Sequence, residues 1–140
     1  MLEPKKLKRR KQHRNRGAWS GKATRGANLA FGFIGLKCTH GGEVTARQIE
    51  AARKAMAHSV ERKGKFWIRP FPHTPVTRKA AEVPMGAGKG SLEYFSVVLK
   101  RGALIFEMDG LPEAEAREAL RLAGHKLPLP TKIVIDPTKR

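Results

Sequence analysis

Two stretches of this 140-residue chain cannot enter a hydrophobic core, and they set the outline of everything else. Residues 1–28 carry ten Lys or Arg against one acid, and residues 63–90 carry six against one. The two blocks hold +9 and +5 of a net charge of +17, while residues 29–62 (+2) and 91–140 (+1) are nearly balanced. A solvated surface intersperses signs, whereas blocks of one sign concentrate potential and call for a polyanion. Nucleic acid is the leading partner. An anionic membrane surface is weaker, because neither block carries the apolar stripe of an interfacial helix.

Between the basic blocks the chain reads as one α+β domain. A hydrophobic content of 40% excludes wholesale disorder, and the length suits a single domain with a proper core. No apolar run approaches the ~18 residues of a membrane span. The first residues, MLEPKKLKRRKQ, lack the apolar region of a secretory signal. A lone Cys38 leaves no internal disulfide and no Cys-pair zinc site, and it points to a reducing, cytoplasmic compartment.

Residues 1–28 have no sustained hydrophobic period and are expected to form an arm, extended in isolation, that orders along RNA phosphates. Lys8, Arg9, Arg10, Lys11, His13, Arg14, Arg16, Lys22 and Arg25 would meet the backbone, with Trp19 available to stack on bases. Residues 29–140 form the expected globular domain. LAFGFIGLKC (29–38) alternates, with Leu29, Phe31 and Phe33 on one face, and reads as a strand whose glycines signal bends or close backbone approach. Thr45 and Gln48 make a capping box for a helix that buries Ile49, Ala52, Met56 and Val60 and ends at Gly64. Arg47, Lys54, His58 and Arg62 fall away from that stripe.

KFWIRPFP (65–72) is a short strand stopped by Pro70 and Pro72, and residues 73–90 read as a long loop without regular structure. LEYFSVVL and ALIFEM flank KRGA and predict a hairpin with Gly102 in the turn. Pro112 is expected at the first position of a second helix, with Glu113, Glu115 and Glu118 early and Arg117, Arg121 and Lys126 late, complementing the dipole. TKIVID (131–136) is a last strand. The sum is about five strands, mostly antiparallel, with two helices covering one face.

The glycine-rich PMGAGKGS (84–91) invites comparison with a nucleotide-phosphate loop, and it fails that comparison. Anchoring the template on Gly88-Lys89 puts Val83 where the first Gly belongs and Gly90 where the Mg²⁺-binding hydroxyl belongs. A strand, not a helix, is expected to follow. Three residues without a Cβ still allow close backbone approach, and beside Arg78, Lys79 and Lys89 the expected ligand is phosphate on a nucleic-acid backbone. Elsewhere, chemistry is thin. His13, His40, His58, His73 and His125 share no metal-ligand spacing, Cys38 and His40 lack an orienting third group, and no carboxylate pair stands by a basic cleft. These observations argue against an enzyme, a resident metal and a nucleotide cofactor.

Four stretches, taken in order, resemble the bacterial large-subunit ribosomal protein of the L-sixteen family. They are RRKQHRNRG, TARQIEAARKAM, WIRPFPHTPVTRKAAEVPMGAGKGSLEYF and FEMDGLPEAEAREALRLAGHKLP. The most specific parts are TARQIEAAR and the MGxGKG-x-x-EY block. The resemblance covers nearly the whole chain and implies an α+β sandwich of the hammerhead type. It implies binding to large-subunit rRNA near the peptidyl-transferase region, alongside other large-subunit proteins. An approach to aminoacyl-site tRNA and support of late subunit assembly are implied too, with no enzymatic activity and no organic cofactor.

On this chain the arm would be rRNA-binding, and Arg78, Lys79, Met85, Gly86, Gly88, Lys89 and Gly90 would reach toward the functional centre. The implied location is the cytoplasmic ribosome, or the plastid stroma for an organellar source. The chain departs from the family's usual residues at Pro84 (Arg), His73 (Asp), Ala80 (Pro) and Asn15 (Gly). The alternative from the residues alone is a free-standing RNA-binding or RNA-chaperone protein.

Overall fold

The computed structural model describes residues 1–139; Arg140, the last residue of the expected globular domain, lies outside them. Seven strands and two α-helices run in the order β1 (Ile34–Cys38), β2 (Gly42–Thr45), α1 (Ala46–Ser59), β3 (Lys65–Ile68), β4 (Thr74–Arg78), β5 (Ser91–Leu99), β6 (Leu104–Asp109), α2 (Glu113–Gly124) and β7 (Thr131–Ile135). They form two antiparallel sheets, ordered β3-β6-β1-β7 and β2-β5-β4. The two helices pack on each other, α2 against β1, β6 and β7, and α1 against β2 and β5. The α+β class with two helices and antiparallel pairing is as expected from the sequence.

Helix α1 starts where the sequence requires. The Thr45 hydroxyl accepts from the Gln48 N–H at 3.2 Å, and the Gln48 carboxamide oxygen accepts from the Thr45 N–H at 2.9 Å, satisfying two otherwise orphaned donors. Ile49, Ala52, Met56 and Val60 are buried in the core, where they meet Ala116, Ala119, Leu120 and Ala123 of α2. Small residues along α2 let the helices approach closely over Ile34, Leu36, Phe106 and Met108 of the larger sheet.

Several expectations need correction. The hairpin across KRGA does not form, because β5 and β6 belong to different sheets. Gly102 does turn the chain, at φ +92°, but its N–H donates to the Cys38 carbonyl, and Cys38 in turn donates to the Ala103 carbonyl. Each flanking strand is central in its own sheet, and β6 is buried at five of six positions, so pairing on both sides of each strand outweighs a local turn signal. Residues 74–78, read as loop, form β4 against β5. Helix α1 ends at Ser59 rather than near Gly64, and Glu61 and Arg62 make the turn with positive φ. Pro112 caps α2 from outside the helix rather than opening it.

The strand expected at 29–38 is regular only from Ile34. Residues 28–33 instead cross the face of the larger sheet opposite the helices. Gly32 and Gly35 allow this. A Cβ on Gly32 would collide with the Met108 backbone, and one on Gly35 would meet the Leu29 side chain at 2.6 Å. What holds the crossing segment is Glu107, which is fully buried. One of its oxygens accepts from the N–H groups of Ala30 (2.8 Å), Phe31 (3.1 Å) and Gly32 (3.4 Å), and the other accepts from Arg69 at 2.7 Å. Burial pushes the Glu107 carboxyl up, but Arg69 and the three backbone donors outweigh it and leave it below the usual carboxylate range.

A carboxyl depressed by folding adds stability that is complete above its unfolded value, about 4.3, and disappears as pH falls through the folded value. Urea melts of Glu107→Gln should therefore show lower stability than wild type at pH 7, by about 3 kcal/mol, since removing one member leaves a buried charge uncompensated. The difference should shrink as pH falls below about 4. A variant equal to wild type at pH 7 would mean that this buried pair contributes nothing to holding residues 28–33.

Candidate nucleic-acid interface

The two basic blocks, separated in sequence by residues 29–62, meet in space. The Lys11 ammonium donates to the Lys89 carbonyl at 2.8 Å, and the Lys89 ammonium donates back to the Gln12 carbonyl. Between them lies an open cleft of about 550 Å³ lined by Arg9, Lys11, Gln12, His13, Asn15 and Lys89. Neither lysine faces a carboxylate there. Of the arm's ten cations only Arg14 is ion-paired among the described residues. Lys8, Arg9, Arg10, His13, Arg16 and Arg25 are all exposed.

Arg14 is the arm's anchor. Its guanidinium places Nε at 3.1 Å and Nη2 at 2.8 Å from one oxygen of Glu43 on β2, whose other oxygen accepts from the Ser96 hydroxyl. Burial raises the Glu43 carboxyl, yet the Ser96 and Arg14 hydrogen bonds prevail and hold it below its ordinary range. Trp19 is half-buried. Its carbonyl lies where a side chain on Gly41 would go, and it lines a pocket of about 420 Å³ with His40 and Arg101. Lys22 bridges to Arg101 in parallel, Ala23 donates to the Arg101 carbonyl at 2.9 Å, and the Gly26 carbonyl accepts from Leu104 at 2.8 Å. Leu2 and Ala23 also pack on the core. The arm is thus laid along the body rather than projecting from it.

The second block ends in the tip of the β4–β5 hairpin, residues 79–90, which leaves one strand and enters its antiparallel neighbour, the context expected of something other than a nucleotide-phosphate loop. Arg78 ends β4, exposed and 3.5 Å from Glu93. The Lys79 ammonium reaches the Gly86 carbonyl. Met85 is 98% exposed, and Gly86, Ala87 and Gly88 follow with φ of +110°, +58° and +90°. Added side-chain atoms at Gly86 and Gly88 would meet no other part of the chain. Their conformation, not self-packing, requires glycine, and the space beside them is open to a ligand. Gly90 differs. It sits at the hairpin base, where a Cβ would lie 2.7 Å from the Arg78 carbonyl, so it closes the loop rather than reaching outward.

Two acids that sequence reasoning passed over, and a helix face that it placed away from the core, also stand out. Glu43 and Glu107 organise the surface from below, and each carried a signal: an acid inside an apolar strand needs a cation facing it. Arg53, Lys54, Ala57, His58, Glu61 and Arg62 line a shallow basic pocket of about 520 Å³ at the end of α1. Among the described residues no group of three or more His, Cys, Asp or Glu is placed to hold a metal, and no helix is long and apolar enough to cross a membrane.

The sequence model of the ribosomal protein L16p/L10e family matches residues 4–134. The chain is 53% identical over 134 residues to "Large ribosomal subunit protein uL16" of Verminephrobacter eiseniae (strain EF01-2), covering 96% of each sequence.

The way the arm lies along the body makes truncation informative. Removing residues 1–16 should keep a single cooperative melt, at a cost of roughly 1–2 kcal/mol from the lost Arg14–Glu43 pair and Leu2 burial. Removing residues 1–28 also strips the backbone partners of Arg101 and Leu104, and should cost several kcal/mol more. Equal melting temperatures for the two truncations would show that residues 17–28 add nothing to the body.

Proposed function

Because the chain belongs to the ribosomal protein L16p/L10e family, we propose that its arm and its β4–β5 loop act as one clamp on large-subunit ribosomal RNA. Membership makes the protein a structural, non-enzymatic component of the large ribosomal subunit, with ribosomal RNA and other ribosomal proteins as partners. The clamp is the reading specific to these residues. One observation carries it: Lys11 and Lys89 reach across to each other's backbone over a cleft without a carboxylate. An ammonium on a neutral carbonyl is weakly held, and a phosphate oxygen offers it a charge-assisted bond in the same place. RNA entering the cleft exchanges contacts rather than creating them from an empty surface.

Arg9, Lys11, His13 and Lys89 supply the phosphate contacts around the cleft, with Lys8, Arg10, Arg16 and Arg25 extending the track along the arm and Arg78 and Lys79 along the hairpin. Beyond them the Met85–Gly88 tip projects. Three successive positive-φ residues and an unpacked Met form a thin backbone edge that can approach a second RNA closely, and we assign that edge to aminoacyl-site tRNA. A protein that holds one RNA segment through cations and approaches a second with a backbone edge also fits a role in late subunit assembly.

Salt dependence and loop geometry separate the two parts of the clamp. Neutralising Arg9, Arg10 and Lys11 should lower the slope of log K against log salt by about two units, at roughly 0.7–0.9 per lost phosphate contact. Gly86→Ala with Gly88→Ala changes no charge and should leave that slope intact. It should nevertheless impair subunits reconstituted around the variant, because alanine at those φ values is strained by about 1–2 kcal/mol per residue. Filter binding across a salt series and peptide synthesis by the reconstituted subunits are the measurements. Fully active glycine-variant subunits would reduce the tip to a linker.

A further inference from the structure

We propose that Phe31 and Trp67 form a stacking shelf for an unpaired RNA base, a contact separate from the phosphate clamp and resting on the ribosomal RNA reading above. The two rings stack with centroids 5.7 Å apart and planes 20° from parallel, and the Arg69 guanidinium lies 5.4 Å from the centre of Phe31. Phe31 is nevertheless 56% exposed, so the arrangement does little to remove the ring from water. What keeps it there is costly. Fully buried Glu107 accepts the Phe31 N–H, those of both neighbours, and Arg69 itself. One buried carboxylate therefore fixes the backbone under one ring and the cation beside it.

The surroundings identify the occupant. β3 is an edge strand, and its alternation puts Lys65, Trp67 and Arg69 along one side, a basic–aromatic–basic stripe. The Lys139 ammonium donates to the Leu29 carbonyl at 2.6 Å, adding a third cation near the crossing segment. Phe71, 44% exposed, continues the aromatic sequence beyond the strand. A protein partner docked on exposed aromatics needs an apolar patch with few charges at its centre. Here cations flank the rings and the neighbouring carboxylate, Asp109, accepts from the Gly110 N–H. Planar rings bounded by cations match a base with phosphates on either side, the combination used by proteins that hold single-stranded RNA.

The test uses large subunits lacking this protein, reconstituted with full-length variants and probed for nucleotide flexibility by 2′-hydroxyl acylation. With wild type, at least one unpaired nucleotide outside the clamp's footprint should become unreactive, and Phe31→Trp should preserve that protection. Phe31→Leu and Trp67→Leu keep an apolar surface but remove stacking. Each should raise the reactivity of the same nucleotide, by roughly five- to 150-fold in its unstacked-to-stacked ratio, with the arm's footprint unchanged. Matching thermal melts establish that the variants fold. Leucine variants with the wild-type profile would overturn the shelf alone. A wild-type protein that leaves no footprint anywhere on the RNA would overturn the clamp and the shelf together.

Discussion

The buried carboxylate of Glu107 is the constraint from which the rest of the larger sheet follows. A chain with 29 cations and 12 acids has few carboxylates to spare, and this one is placed in the middle of a central strand with no exposure. Left unpaired it would be untenable. It is instead saturated by three consecutive backbone N–H groups and a guanidinium. Those donors belong to segments that have no regular pairing of their own. Residues 30–32 cross the outer sheet face, and Arg69 follows β3 just before Pro70. One side chain thereby converts a glycine-weakened linker and a strand end into a fixed layer.

Glu43 repeats the device on the smaller sheet with the arm as its client. Ser96 and Arg14 share its two oxygens, so a strand–strand contact and an arm–body contact meet at one carboxylate. Self-repulsion among arm cations would drive the segment away from a body that is itself positive. A single half-buried bidentate pair, the Gly26 and Arg101 backbone bonds, and burial of Leu2 and Ala23 oppose that drift. The arm is consequently presented in one direction, with most of its cations on the outside. In the proposed clamp, ordering the arm beforehand would lower the entropy that RNA binding must supply.

Much of the local structure was legible because its causes are local. The capping box at Thr45 and Gln48, the Ile49–Ala52–Met56–Val60 stripe, and the charge gradient of α2 all depend on neighbours within a few residues. Sheet membership was not legible. KRGA carries a hairpin signal, and the choice between pairing β5 with β6 and placing each inside a different sheet is made by strands as distant as β1, whose Ile34 pairs with Met108 of β6. The candidate surface divides the same way. Its cations and the special backbone of Gly86 and Gly88 could be read directly, whereas the Lys11–Lys89 exchange, the Arg14 anchor and the Phe31–Trp67 stack join residues 29 to 78 positions apart. Phe31 illustrates the cost of alternation alone. Alternation puts it with Phe33 on one face, yet Phe33 is buried and Phe31 exposed, because Gly32 between them lies against the Met108 backbone and the Phe31 N–H is held by Glu107.

The acids and the lysines of this surface serve opposite purposes, and the difference lies in what each contact could exchange for. Glu107 holds Arg69 in a site shielded from solvent, so RNA cannot replace it there without opening the fold, while Glu43 holds the more exposed Arg14 through two donors on one oxygen. Lys11, Lys79 and Lys89 hold only backbone carbonyls at the exposed surface, and each such bond is readily traded for a phosphate. The surface is therefore built in two tiers. Ion pairs set where the arm, the crossing segment and Arg69 lie, and lysine–carbonyl contacts hold the arm and the hairpin tip near each other, the contacts that RNA would displace in the proposed clamp. A loop closed by carboxylates would be steadier in the free protein and a poorer RNA ligand, because every phosphate would first have to displace a charge of its own sign. That trade-off accounts for a hairpin tip whose cations rest on carbonyls and whose glycines face open space.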